Sequence, residues 1–247
     1  MITTKNYQHY ILSKFNLPSG KSHKKPHQKW INMYYRLFDA YCYPSVIKQT
    51  HKNFRWLIAF DETTIDKAWV ESHKKIIPLY INDFSKSFKQ HCREYIRSHC
   101  ENVVKYLITT RLDVDDSLHE DFIKTVHIDL KNHDSNYLVV SLVHGLTRNV
   151  KTNKSKEWTM YYANPFITLL EKLDDSVGIQ TVRCCKHVRM MKVNRFDLSY
   201  VNTKVPMWIQ NIHGWNASNV MRGKAVKIDL SSYHVKDRYL NKKKRKV

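Results

Sequence analysis

The chain has 247 residues, 42% of them hydrophobic, which is enough to bury a core and excludes a disordered protein. Its formal net charge of +20 favours a polyanionic partner such as nucleic acid, an anionic glycan or a phosphorylated membrane surface, without naming a reaction. No run of 18 apolar residues occurs and the opening MITTKNYQHY lacks an apolar signal core, so a cytoplasmic protein without a transmembrane segment is expected, with peripheral membrane contact left open.

The predicted elements alternate. HYILSKFN reads as a first strand, followed by the polar, basic loop SGKSHKKPHQ. KWINMYYRLFDAYC sets Trp30, Met33, Tyr34, Leu37, Phe38 and Tyr41 at helical spacing. Pro44 interrupts, and SVIKQT offers one short helix more. FRWLIAFDETT is a continuous apolar strand ending in Asp61. FSKSFKQHCREYIRSHC is an amphipathic helix, VVKYLITTRLD the next strand, HEDFIKTVHIDL a helix and NYLVVSLVHGL another strand. Beyond about residue 150 the pattern loses regularity: EWTMYYANPFITLLEKL mixes aromatics with a helical end, and TVRCCKHVRMMKV and PMWIQNIHGWNASN read as strands or loops. Strands alternating with helices predict an α/β domain with a mostly parallel central sheet flanked by helices. Residues 1–150 would form one half, 151–240 an irregular second half on the same sheet, and 241–247, NKKKRKV, a basic tail serving as import signal, polyanion tether or plain solvated end.

The five cysteines form no CxxC pair and no zinc spacing, and read as buried thiols. The five glycines form neither GxGxxG nor a Walker loop, so the common phosphate-cradling loops are absent.

YLITTRLDVDD, residues 106–116, carries the chemistry. A strand runs into Asp113, Asp115 and Asp116, at the carboxyl edge where open parallel sheets bind ligands. Ser117 and Glu120 have capping-box spacing, which predicts a helix starting at once. Clustered carboxylates repel unless a divalent cation neutralises them, and Mg²⁺ or Mn²⁺ takes one or two carboxylates plus phosphate oxygens. A metal site holding a diphosphate is one reading; a helix-capping cluster is the other. Arg111 is placed either to grip a diphosphate bidentately or to pair with one of these acids.

Several motifs in order resemble those of GT-A type nucleotide-sugar glycosyltransferases, and specifically the rhamnosyltransferase-like family. They are SKFN at 13–16, Trp30 with RLF at 36–38, and Pro44-Ser45 with Gln49-Thr50. Phe54, Trp56, Leu57 and Asp61 follow, then TRLDVDD at 110–116, and Trp208, Gln210, His213, Gly214 and Asn216. Lys14 stands where the family often has Arg, and residues 150–200 match only through NPF at 164–166 and KH at 186–187. The resemblance implies a GT-A-like fold, a nucleoside-diphosphate-sugar donor and a Mn²⁺ or Mg²⁺ cofactor. Donor binding would fall to Lys14, Asp61, Arg111 and Asp113, with Asp61 on the nucleoside. The metal would fall to Asp113, Asp115, Asp116 and His213. Asp61 could instead cap the next helix, and His213 could be a hydrogen-bonded turn histidine. An inverting transfer also needs a carboxylate base, for which Glu171, Asp174 and Asp175 are candidates, each otherwise a solvated helix-end charge. The acceptor expected from the charge is a hydroxyl on an anionic polymer, a surface glycan or a hydroxylated DNA base. The alternatives are a metal-dependent nuclease or nucleotidyltransferase, and a binder of nucleic acid without catalysis.

Overall fold

The computed structural model describes residues 6–18, 26–101, 103–161, 164–174, 178–190, 192–216 and 218–236. The basic tail 241–247 and Asp175 lie outside them.

Strand β1 (Tyr7–Lys14) is buried along its length except for Lys14 at its end. Helix α1 (Gln28–Leu37) starts at His27, whose ring nitrogen accepts the Trp30 amide, and turns Ile31, Tyr34 and Leu37 inward. It widens into a π-helical turn, Phe38–Cys42, and continues as α2 (Tyr43–Ile47). Pro44 therefore does not interrupt the helix: it sits in the first turn of α2, where its missing N–H costs no bond. Strand β2 (Arg55–Asp61) follows, then α3 (Lys67–Ser72), capped by Asp66, and β3 (Ile76–Ile81). Neither α3 nor β3 was legible: β3 carries Pro78 and lies at a sheet edge, where apolar alternation is not enforced. Helix α4 (Phe88–His99) opens with a full capping box between Ser87 and Gln90.

Strand β4 (Tyr106–Arg111) leads into the acids. No helix starts at Ser117. Ser117–Leu118 form a short strand, β5, because the Ser117 hydroxyl donates to the Tyr41 carbonyl and Leu118 N–H to Ser45 Oγ. Helix α5 (Phe122–Leu130) begins after it, and Glu120 pairs with His234 at 2.7 Å instead of closing a capping box.

The stretch 137–149 is two strands, β6 (Tyr137–Leu142) and β7 (His144–Asn149), in different sheets. Strand β8 (Lys154–Thr159) follows. The expected helical end is β9 (Thr168–Lys172), an apolar strand hydrogen-bonded on both edges. A short helix α6 (His187–Met190) precedes β10 (Asp197–Val201), β11 (Trp208–Ile212) and β12 (Lys224–Val226).

The main sheet has the order β10-β6-β9-β4-β1-β2-β3, parallel except for β9. One face packs on α1, α2 and α5 through Ile11, Trp56, Ile58, Phe60 and Ile108, and the other on α4 through Tyr10, Leu12, Leu57 and Leu107. The second sheet runs β12-β8-β7-β11-β5. The two halves of the chain interlace: β9 returns between β4 and β6, and β5 joins the second sheet. The α/β architecture with a mostly parallel sheet is therefore as expected, while the second half is more regular than its sequence pattern indicates.

Candidate functional site

The order β3-β2-β1-β4 reverses direction of growth at β1, so the crevice beyond the carboxyl ends of β1 and β4 is the switch point where such sheets take ligands. Lys14 ends β1 there, Arg111 ends β4, and the acids follow. Asp113, Asp115 and Asp116 share one short loop but face three different sets of partners.

Asp113 faces cations. Arg111 Nη2 donates to its Oδ2 at 2.6 Å, and Arg183 Nη2 lies 3.6 Å from Oδ1. Burial works against this carboxylate, but Arg111, Arg183, Lys14 and His187 together hold its pKa below the usual range. Arg183 is seated by the Leu12 and Leu112 carbonyls at 2.8 and 3.3 Å, which bridges the ends of β1 and β4. Burial and the Arg111 charge lower its pKa to about 10, against the pull of Asp113. His187 Nδ1 stands 3.0 Å from Arg111 Nη1. A guanidinium can only donate, so that nitrogen accepts and the ring is neutral. Burial and the two guanidinium charges push the pKa of His187 down to about 4. Three cations thus converge on one carboxylate, leaving a net positive charge. A cleft of about 390 Å³ adjoins them, lined by Lys14, Pro18, Phe84, Phe88, His91 and Arg183 at the start of α4.

Asp115 faces aromatic rings and amides. Its Oδ2 receives His213 Nε2 at 2.9 Å, Asn216 Nδ2 at 3.3 Å and the Tyr34 hydroxyl at 3.5 Å. The Trp215 amide donates to His213 Nδ1 at 3.3 Å, so the ring proton sits on Nε2 and points at Asp115. Tyr34 stacks on Trp30 with centroids 3.5 Å apart and meets the His213 ring edge-on at 5.5 Å. Burial, then the three Asp charges, push the Tyr34 hydroxyl pKa far up, so it remains a donor.

Asp116 is turned into the fold. Its Oδ1 accepts the Asn211 amide of β11 at 2.9 Å, and Asn211 Nδ2 holds the Asp115 carbonyl at 2.9 Å. Burial and the charges of Asp115 and Asp113 raise the pKa of the Asp116 carboxyl well above its ordinary value.

The four residues expected at the metal, Asp113, Asp115, Asp116 and His213, do not all face one point. Among the described residues no group of three His, Cys, Asp or Glu side chains stands close enough to hold an ion. Asp116 serves β11, and His213 orients Asp115. The loop still suits a hard cation completed by its substrate, to which Asp113 and Asp115 could offer one carboxylate each. Asp61 is fully buried, and its Oδ1 accepts the Thr63 amide and hydroxyl at 2.9 and 2.6 Å, so it builds the turn after β2 and caps no helix. Glu171 is opposite Leu107 in the β4–β9 register, about 20 Å of strand away from Asp113. It is 2% exposed and accepts the Gln180 and Thr181 amides at 2.6 and 2.7 Å. Asp174 is exposed just beyond it, at the same far edge. Neither is placed as a base for the acid loop. Arg183, Tyr34 and Asn211 carried no motif that marked them for the site, and His187 stood in the matched KH pair without a role assigned to it. A larger cavity, about 710 Å³ between α2, Arg148 and residues 228–236, contains none of the acids.

The family model described as "Putative rhamnosyl transferase" matches residues 21–225. A search of curated proteins gives no match. Among solved structures, the S. aureus TarS fragment 1-349 aligns at 10% identity over 83% of this chain and 60% of that one, with a TM-score of 0.47. The same fragment in complex with UDP-GlcNAc gives 11%, 83%, 58% and 0.46. A cytidylyltransferase from Leptospira borgpetersenii gives 13%, 81%, 77% and 0.42. The chain thus spans about 60% of the length of the TarS fragments it matches.

Proposed function

The chain belongs to this rhamnosyl transferase family, and we propose that it transfers a sugar from a nucleoside-diphosphate donor to a hydroxyl acceptor, with the diphosphate seated at Asp113. The observation that carries this reading is the convergence of Lys14, Arg111 and Arg183 on that single carboxylate at the sheet's switch point. Three cations around one carboxylate leave positive charge for an anion of two or more charges, and guanidinium forks suit phosphate oxygens. The adjoining cleft, with Phe84 and Phe88 in its wall, accommodates the nucleoside.

In the reaction the bond from the sugar's anomeric carbon to the diphosphate oxygen breaks, the acceptor's hydroxyl oxygen bonds to that carbon, and its proton passes to the departing diphosphate or to solvent. Negative charge grows on the departing diphosphate, where Arg111, Arg183 and Lys14 are already aimed, which is the electrostatic contribution expected to dominate. A divalent cation held by Asp113 and Asp115 would add Lewis-acid stabilisation of the same oxygens. His213, Asn216 and Tyr34 hold the Asp115 carboxylate in place. Neutral His187 holds Arg111 without adding charge. The acceptor that fits the +20 charge is a hydroxyl on an anionic polymer, a glycan or a modified DNA base. A nuclease or nucleotidyltransferase would use the same acids, and the donor panel below separates it from the glycosyltransferase reading.

The test is a panel of nucleoside diphosphates and their sugar conjugates, with and without Mn²⁺, read by thermal shift and by slow donor hydrolysis. One stabilising donor family, its effect lost in Arg183→Ala, supports the reading. Stabilisation by no diphosphate, in a protein that remains folded, overturns it.

A further inference from the structure

Trp215 has no role in the chemistry above, yet it sits two residues from the His213–Asp115 pair. It occupies the position that the motif HGxN leaves open. Its indole is 38% exposed. The backbone under it is firmly held: His213 N–H donates to Asn216 Oδ1 at 2.8 Å, Gly214 N–H to Asn219 Oδ1 at 2.9 Å, and Asn219 Nδ2 to the Asn216 carbonyl at 3.0 Å. Gly214 takes φ +92°, a left-handed conformation that lets the chain turn and present the next side chain outward. His27, the exposed cap of α1, meets the indole edge-on at 5.5 Å. A large apolar ring held partly in solvent, two residues from the histidine that bonds Asp115, is a platform for a flat partner.

The acid loop separates two kinds of surface. On the Asp113 side lie guanidinium and ammonium groups; on the Asp115 side lie indoles, imidazoles and carboxamides. The donor's charge places it on the first. We propose that the second is a carbohydrate subsite, in which the apolar C–H face of a sugar ring of the acceptor stacks on Trp215 while its hydroxyls meet Asn219 and His27. This inference rests on the donor assignment for its orientation. The ring's C–H bonds carry partial positive charge that suits the negative face of an indole, and carboxamides and imidazole offer both donors and acceptors to hydroxyls. A nucleic-acid platform would interleave several aromatics with cations along a groove, whereas here one cation, Lys151, lies beside Gly214 and the other polar groups at the turn are the Asn216 and Asn219 carboxamides and the His27 imidazole.

The experiment uses the full chain and saturation-transfer NMR on three ligand sets: methyl glycosides of common hexoses and 6-deoxyhexoses at millimolar concentration, UDP and other nucleoside diphosphates with their sugar conjugates, and a short single-stranded DNA. Variants are Trp215→Ala and Trp215→Phe, with folding checked by circular dichroism. The expected result is glycoside signal on one ring face in the wild type, weakened roughly tenfold in Trp215→Ala, largely kept in Trp215→Phe, with nucleoside-diphosphate binding unchanged in both. Glycoside binding indifferent to Trp215→Ala overturns the subsite. Loss confined to the sugar nucleotide, with free glycosides unaffected, reassigns the platform to the donor's sugar and overturns the acceptor assignment. Loss of single-stranded DNA binding in place of glycoside binding overturns it in favour of a base. If glycosides bind through Trp215 but no nucleoside diphosphate binds, the subsite stands and the donor reading falls.

Discussion

Asp113 and Asp115 are two residues apart and live in opposite environments. Asp113 is ringed by Lys14, Arg111 and Arg183, half-open to solvent, and held ionised by charge. Asp115 is 7% exposed and is held by a tyrosine, a histidine and an asparagine, all uncharged donors as arranged here. One carboxylate is set by Coulombic attraction, the other by hydrogen bonds in a low-dielectric wall. The contrast teaches that one short acidic motif can set its carboxylates in two chemically different surroundings, because neighbouring side chains in a turn project into different walls.

The largest expected break in this comparison is Asp115→Ala. It should lower kcat roughly a thousandfold while diphosphate binding measured without divalent cation changes little, since the Asp113 side is intact. Calorimetry of UDP binding beside turnover checks this, and a parallel loss of both would merge the two sides into one.

Gly145→Ala attacks the support of the Asp115 side. A Cβ there would run into the Trp208 ring, which stacks on Phe166 at 4.8 Å and anchors β11, the strand leading to His213. Overpacking should cost about 3 kcal/mol or more in chemical denaturation.

Arg183→Lys sharpens the Asp113 side. A lysine cannot bridge the Leu12 and Leu112 carbonyls and an anion together, so donor KM should rise roughly tenfold to a hundredfold with acceptor KM unmoved.

The smallest effect separates site from scaffold. His9 Nδ1 on β1 and His127 Nε2 on α5 are 3.0 Å apart between the main sheet and that helix, with His51 stacked 4.2 Å from His127. Burial and neighbouring positive charge, from His51 and Lys131, push the pKa of His127 down to about 3, so the folded protein keeps it neutral while the unfolded chain protonates near 6.5. Its contribution to stability is complete above about 6.5 and is lost progressively as pH falls toward 3. His127→Gln should flatten the acid limb of stability in denaturant titrations and leave the pH profile of turnover in place.

The parallel core strands were legible because they are apolar on both faces, and α1, α4 and α5 because they carry one apolar stripe each. The acid loop was legible as a motif. What failed was local pattern overruled by distant partners. Ser117 looks like a helix cap until Tyr41 and Ser45 pair with its segment, and 168–172 looks helical until β4 and β6 take both its edges. Arg183 could not be found because its meaning lies in Leu12, Leu112 and Asp113, from 70 to 171 residues away, and no periodicity encodes that. Glu171 misled for the same reason: its carboxylate closes the turn at Gln180 and Thr181.

The π-helical turn at Phe38–Cys42 has a thermodynamic consequence. By letting α1 flow into α2 it brings Tyr41, Cys42, Ser45 and Gln49 against the back of the segment 113–123, where Ser45 Oγ takes the Leu118 amide and Gln49 the Ile123 amide and the His119 carbonyl. The carboxylates are therefore fixed by the helix behind them and not by whatever binds in front. Amide protons of Leu118 and Ile123 should exchange slowly in the ligand-free protein, and saturating it with nucleotide should leave their rates almost unchanged, the signature of a receptor that has its shape before its guest arrives.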